Sequence, residues 1–299
     1  MTGPALSVVI PTRNRCAILT LTLSALESQE GISDLLEVIV VDDGSTDDTA
    51  RMLHRERFSG IELKSLVLEP GGPARARNCG IAKTRAERVL LLGDDTVPAP
   101  GALASHLKAA GHRKVAVQGL IEWDPQIGVS REMKFLAPEG PQFWFKGLGD
   151  DSTVPWNSVA SSNLSAPQRW FLEEPFDEVF SEACFEDTEM AWRWARRGWS
   201  TVFCKSAVCY HRHRYESIEP FLARQRKAGW WARKAARMHP GMLATTLVRP
   251  LALAPAFAAR AGWRALRGRA RQEDLWDLRC RLEFAKGFLS RLPPSGRHF

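Results

Sequence analysis

The sequence lacks several features that would settle its class at once. Its six cysteines, Cys16, Cys79, Cys184, Cys204, Cys209 and Cys280, include no pair at C-x-x-C spacing. That removes the common dithiol signature and leaves reduced thiols as the expectation. Long apolar runs are also missing. In the C-terminal part the longest uncharged one, residues 251–259, has nine residues and contains Pro255, whereas a membrane-spanning helix needs about 20. Met1-Thr2-Gly3-Pro4 puts no basic stretch ahead of an apolar one, so a secretory leader is not expected and a cytoplasmic location is. No internal repeat or low-complexity segment is visible.

What is present is ordinary in bulk and uneven in charge. The chain has 299 residues, 44% hydrophobic and 25% charged, enough for a sizeable core. Its net charge of +7 belongs to one end. Residues 220–299 hold 17 Lys/Arg against 4 Asp/Glu, and residues 1–219 hold 24 against 30. An acidic body argues against nucleic acid as its partner, because phosphate backbones call for a basic surface. The basic tail suits an anionic surface. Trp230-Trp231 lies among Arg224, Arg226, Lys227, Arg233, Lys234 and Arg237. This reads either as an amphipathic helix lying on an anionic membrane, peripheral at its inner face, or as a helix packed on the body with a solvated basic side.

Along the body, strand and helix alternate. Residues 6–10 form a β-branched run, read as a buried strand, that Pro11 is expected to stop; residues 36–41 read as a second buried strand, and residues 63–68 and 88–92 as a third and a fourth strand. Helical spacing covers residues 17–29, 46–57 and 74–85 between them. A helix over 102–110, a strand over 114–121, an irregular aromatic stretch over 123–156, a helix over 188–197 and a strand over 201–210 follow. The tail is helical by pattern, with breaks at Pro240, Pro250 and Pro255. Such alternation predicts an α/β fold with a mostly parallel sheet covered on both faces, where ligands bind beyond the carboxyl ends of the strands.

Acidic motifs occupy two of those ends. Asp94-Asp95 after an apolar strand is costly unless a cation is near. A hard divalent ion bridging a diphosphate meets that need, and a solvated turn meets it too. Asp42-Asp43-Gly44-Ser45 has the same two readings. Gly71-Gly72-Pro73-Ala74-Arg75-Ala76-Arg77-Asn78 offers a glycine turn and two arginines on the first helical turn, a pattern that suits phosphate or a solvated helix face. Glu186-Asp187 opens a helix, where the dipole favours the carboxylate anion by about 0.3–1 kcal/mol. Such a carboxylate serves as a general base or simply as a cap. Tyr210-His211-Arg212-His213 ends a strand with both histidines on one side of an extended chain. Phe143-Trp144-Phe145 and Trp156 sit in the irregular stretch, as core or as a platform for sugar rings.

Taken together and in this order, the motifs resemble the family 2 glycosyltransferases, whose GT-A fold is a Rossmann-like nucleotide-binding fold. The likeness runs from about residue 6 to about residue 231. It is carried by Ser-Val-Val-Ile-Pro-Thr-Arg-Asn-Arg (7–15), Val-Val-Asp-Asp-Gly-Ser-Thr-Asp (40–47), Gly-Pro-Ala-Arg-Ala-Arg-Asn-Cys-Gly-Ile (72–81), Leu-Leu-Gly-Asp-Asp-Thr-Val-Pro (91–98) and Phe-Glu-Asp-Thr-Glu-Met-Ala-Trp-Arg (185–193).

The resemblance implies a sugar transfer from a nucleoside diphosphate, UDP favoured, with inversion and with Mn²⁺ or Mg²⁺. It puts Pro11, Thr12 and Arg13 on the donor side, with Thr12 and Asp43 at the base, Arg77 at the diphosphate and Asp94 at the ribose. Asp95 would bind the metal, joined by His211 or His213, with His211 preferred. Asp187 would be the general base, with Glu186, Trp156 and Asn163 on the acceptor side. Gly93 departs from the pattern, since many members carry an acidic residue there, and this leaves the ribose contact of Asp94 less defined. The implied division is a catalytic domain over 1–219, with a donor half (1–100) and an acceptor half (101–219), and a basic helical extension over 220–299. The acceptor is open: a carbohydrate, a lipid-linked glycan, a peptide or a natural product. Two other readings are a nucleotidyltransferase, which would want a glycine-rich loop after the first strand, and a nucleotide-sugar binder without turnover.

Overall fold

The structure is a computed structural model that describes residues 3–32, 36–55, 58, 60–244 and 271–293. The helix breaks expected at Pro250 and Pro255 lie outside the described residues, as does the apolar run 251–259. The chain divides into two compact units, one of residues 1–129 and 136–214, the other of residues 130–135 and 215–299.

The first unit is built on one sheet. Its elements are β1 (Leu6–Thr12), α1 (Cys16–Glu27), β2 (Leu36–Asp42), α2 (Thr49–Arg55), β3 (Glu62–Val67), α3 (Pro73–Ile81), β4 (Arg88–Leu92), β5 (Thr96–Pro98), α4 (Ala102–Ala110) and β6 (Ala116–Trp123). After α5 (Arg131–Leu136), most of which belongs to the second unit, come β7 (Asn163–Pro167), α6 (Gln168–Glu173), α7 (Glu186–Arg196) and β8 (Thr201–His211). The eight strands run in the order β3-β2-β1-β4-β7-β6-β8-β5. The first four are parallel. β7 is antiparallel to both its neighbours, β6 and β8 are parallel, and β5 returns antiparallel to β8.

The apolar runs of β1, β2 and β4 form the centre, buried on both faces. Val8, Ile10, Val38, Val40, Leu90 and Leu92 pack with Leu19, Leu23 and Leu26, the i, i+4, i+7 stripe of α1. Pro11 does not stop β1. Beyond Val9 the strand pairs with β2 alone, an edge-like position where the missing N–H is tolerated.

Two polar clusters are built into this core. Glu37 on β2 is fully buried and meets Ser7 Oγ (2.5 Å), Lys64 Nζ (2.9 Å) and Arg85 Nε (2.7 Å). Burial works to raise its pKa. Ser7, Arg85 and Lys64 outweigh that and hold it at about 2. His106 on α4 bridges β7, one ring nitrogen 3.1 Å from Ser165 Oγ and the other 2.8 Å from Asn163 Oδ1. Burial draws its pKa down to about 4, so it is neutral.

The second unit packs α8 (Glu219–Met238) against α9 (Gln272–Leu289). The helices cross at two glycines. A Cβ on Gly229 would strike the carbonyl oxygen of Phe284, and one on Gly287 that of Arg226. Arg131 joins the pair through Glu273 (2.9 Å) and lies over the Trp276 ring. Among the described residues no helix is long and apolar enough to cross a membrane.

Candidate active site

The carboxyl ends of β1, β2 and β4 and the end of β8 meet at one end of the sheet. Thr12 closes β1, and its Oγ1 donates to Asp94 Oδ2 at 2.8 Å. Asp94 also accepts, at its main-chain oxygen, the hydroxyl of Thr22 on α1 (2.8 Å). Asp95 is gripped from two sides. Arg15 Nη1 stands 3.1 Å from Oδ2, and His211 Nε2 stands 3.4 Å from Oδ1. β5 fixes this meeting by register, because Thr96 pairs with His211, and the Arg212 N–H donates to the Asp95 carbonyl at 2.8 Å.

The two carboxyls titrate apart. Burial and the Asp95 charge push Asp94 well above the usual carboxylate range, with Arg15 and Thr12 offsetting this in part. Desolvation also opposes ionisation of Asp95, but His211 and Arg15 hold it below the usual range. A further cation beside the pair would favour ionisation of both.

Among the described residues no three His, Cys, Asp or Glu side chains form a metal cage. Asp95 and His211, 3.4 Å apart, could instead offer two donors to a divalent ion. That fits an ion whose other positions are filled by phosphate oxygens and water. His211 is 7% exposed, and its Nδ1 is buried without a partner. Trp123 (5.2 Å) and Phe143 (5.6 Å, edge-on) wall the ring. His213 lies 6.0 Å from it.

The end of β2 shapes the neighbouring loop. Both oxygens of Asp43 accept main-chain N–H groups, from Gly71 (2.7 Å) and Gly72 (2.9 Å). Gly72 has φ of +91°, and a Cβ there would strike the carbonyl of Ser181. Only glycine suits both demands. α3 starts at once, with Pro73 in its first turn.

On α3, Arg77 is buried and its Nη1 meets Glu186 Oε1 at 2.8 Å, tying α3 to α7. The guanidinium also lies over Phe176 (5.2 Å), and its Nε has no partner. Burial and the neighbouring Asp187 raise the pKa of Glu186, against the pull of Arg77. Phe185, just before α7, holds φ of +79°, a strained value for a bulky residue. Asp187 is half-buried. Its Oδ1 accepts from Thr188 N (2.8 Å) and its Oδ2 from Ser161 N (3.3 Å). The next residue, Ser162, accepts the N–H of Gly93 at its carbonyl (3.2 Å). Residues 161–162 therefore join Asp187 to Gly93-Asp94-Asp95.

Thr12, Asp43, Asp94, Asp95 and His211 thus gather at one end of the sheet. Arg77 and Glu186 are joined to each other. Trp156 sits in a short 3-10 turn packed against α7. Asn163 departs from its expected acceptor role. It is fully buried, its Nδ2 donates to the carbonyls of Leu120 and Ala207, and its Oδ1 faces His106. That amide is fully engaged in the fold. In the aromatic trio only Trp144 is exposed, at 53%, while Phe143 and Phe145 are core. Arg15 and Thr22 were not singled out by sequence reasoning. Arg15 stands three residues past Thr12, and that proximity to the strand end was the available signal.

A profile described as glycosyl transferase family 2 matches residues 7–176. The chain is 27% identical over 237 residues to chondroitin synthase of Escherichia coli, covering 69% of this chain and 34% of that protein. It is 31% identical over 218 residues to validoxylamine A glucosyltransferase of Streptomyces hygroscopicus subsp. jinggangensis, covering 64% and 51%. The chain therefore spans about a third and about half of these relatives' lengths. In fold it is similar to the mannosyltransferase PcManGT from Pyrobaculum calidifontis, solved with GDP-Man and Mn²⁺ (TM-score 0.67, 19% identity, 97% of this chain and 88% of that one). It is also similar to residues 1–349 of TarS from Staphylococcus aureus, solved with UDP (TM-score 0.55, 18% identity, 95% and 88%).

Proposed function

We propose that this chain, which belongs to glycosyl transferase family 2 and has the GT-A fold, is a glycosyltransferase that carries sugar from a nucleoside diphosphate to an acceptor hydroxyl with inversion, using Asp187 as general base. The observation that carries this reading is the short link from Asp187 through Ser161 and Ser162 to Gly93. It sets a carboxylate on a helix N-terminus beside the strand end that bears Asp94-Asp95.

The donor lies across the ends of β1, β2 and β4. Pro11, Thr12 and Arg13 line the base side. Asp43 shapes the Gly71-Gly72 turn and keeps acceptor capacity for a base N–H, since a carboxylate offers about four lone-pair sites. Asp95 and His211 would hold Mn²⁺ or Mg²⁺, which when bound supplies Lewis-acid stabilisation of the departing diphosphate. Arg15 supplies positive charge on the same side, and Arg77 acts nearby through its bond to Glu186. Asp187 faces the acceptor, with Trp156 on the same wall, and takes the hydroxyl proton as the oxygen attacks the anomeric carbon. Residues 1–100 form the donor half and 101–219 the acceptor half. UDP is favoured by the TarS complex, while the mannosyltransferase complex keeps GDP in the test.

Asp187→Asn should lower kcat by about 10²–10⁴-fold and leave donor-induced thermal stabilisation intact. Unchanged turnover would remove Asp187 from the role. A thermal-shift panel of UDP-, GDP- and dTDP-sugars with and without Mn²⁺ should give a metal-dependent rise with one base. A rise with none would overturn the donor assignment.

A further inference from the structure

The opposite end of the sheet holds a cavity of about 630 Å³. It opens between the start of β4, the α4–β6 turn and the start of α6, and is lined by Arg88, His112, Arg113, Lys114, Arg169 and Glu87, among others. Sugar transfer at Asp95 does not use it. Arg88 and Asp94 are separated by the length of β4, roughly 15–20 Å at about 3.3 Å per residue.

Arg88 is the informative residue. Its guanidinium is bonded to neutral groups only, Nη1 to Ser165 Oγ (3.3 Å) and Nη2 to the carbonyl of Val115 (3.0 Å). Among the described residues no carboxylate pairs with it. Burial draws its pKa down to about 10, which leaves it cationic at neutral pH. A charge withdrawn from water without a counter-ion is costly. Two bonds leave three of a guanidinium's five N–H donors for a ligand. The mouth adds to the imbalance. Lys114 and Arg169 are exposed, and neither has a carboxylate partner among the described residues. Arg113 is shared with Asp151 at 2.7 Å. Glu87 is the carboxylate in the lining, and it forms no ion pair with these cations.

The side chain that bonds Arg88 is itself tied into the core by hydrogen bonds. Ser165, which accepts from Arg88, also meets His106, and His106 meets Asn163. Neutral His106 adds no second positive charge beside the half-buried Arg88 guanidinium.

We propose that this cavity is an anion site for a phosphate group, with Arg88 at its base and Lys114 and Arg169 at its mouth. A planar guanidinium fork with flanking cations matches phosphate oxygens. The phosphate comes either free, as inorganic phosphate or a small monoester, or as the headgroup of an anionic lipid.

Inorganic phosphate is the first probe, titrated into the full chain at constant ionic strength against chloride, by calorimetry and thermal shift. Wild type should bind saturably. Lys114→Glu combined with Arg169→Glu, both on the exposed rim, should weaken binding at least about tenfold, and Arg88→Met should abolish it. Asp95→Asn should bind phosphate as wild type does, which separates this site from the donor site. Absence of saturable binding, unchanged affinity in the rim double variant, or loss in Asp95→Asn would overturn the proposal. Competition with phosphatidylglycerol vesicles, with phosphatidylcholine as control, assigns the source. Displacement of phosphate by the former alone marks a headgroup site and the absence of displacement marks free phosphate, and both results uphold the site.

Discussion

At the residue scale, one carboxylate here often does two things. Asp43 stands where sequence resemblance expects a base contact, and it also accepts both N–H groups of the Gly71-Gly72 turn. Asp43→Asn would turn an amide N–H toward one of those donors. It should cost about 1–3 kcal/mol of stability by thermal melt and raise the donor KM. Arg77 and Glu186 are a second case. Sequence placed one at the diphosphate and the other at the acceptor. They bond to each other across 109 residues of separation, a pairing that no local pattern could show. Arg77→Ala leaves a buried carboxylate alone and should destabilise by about 3–5 kcal/mol, with Glu186→Gln costing less. If Arg77→Ala melts like wild type, the pair does not hold α3 to α7.

At the element scale, legibility followed periodicity. β1, β2, β4 and the stripe of α1 could be read because apolar residues recur at the spacing each element requires. β5 and β7 could not. β5 has three residues, one of them Pro98, and exists through its pairing with β8. β7 reads Asn-Leu-Ser-Ala-Pro, which resembles a loop until His106 is seen to satisfy Asn163 and Ser165. For the same reason Asn163 looked available to a ligand. The α8–α9 crossing was also invisible, because it depends on Gly229 and Gly287 meeting main-chain carbonyls of the other helix. Gly229→Leu should force the helices apart and cost about 1–3 kcal/mol. Limited proteolysis of the second unit would reveal it as faster cleavage within 219–289, and unchanged cleavage would show that the crossing tolerates a side chain.

At the scale of the whole molecule, the buried Glu37 cluster sets a response to acid. Its folded pKa, about 2, lies below the ordinary value of 4.5. The stability it contributes is therefore complete above about pH 4.5 and is lost as pH falls toward 2. The shift corresponds to about 1–3 kcal/mol once the exposure of Lys64 and Arg85 is discounted. Chemical denaturation between pH 6 and pH 2.5 should show the fall, and Glu37→Gln should be weaker at pH 6 with a flatter slope below 4.5. An equal slope in both proteins would move the acid response elsewhere. The Asp43–Gly72–Ser181 contact bears on redesign. Gly72 is held by the Asp43 carboxylate and leaves no room for a Cβ beside the carbonyl of Ser181, five residues before Glu186. A library that alters Asp43 to change nucleotide preference would also reposition the segment leading into Asp187. With Asp43 on the donor and Asp187 on the acceptor as proposed, the two selectivities would evolve as linked traits, and selections that vary both loops together should outperform those that vary either alone.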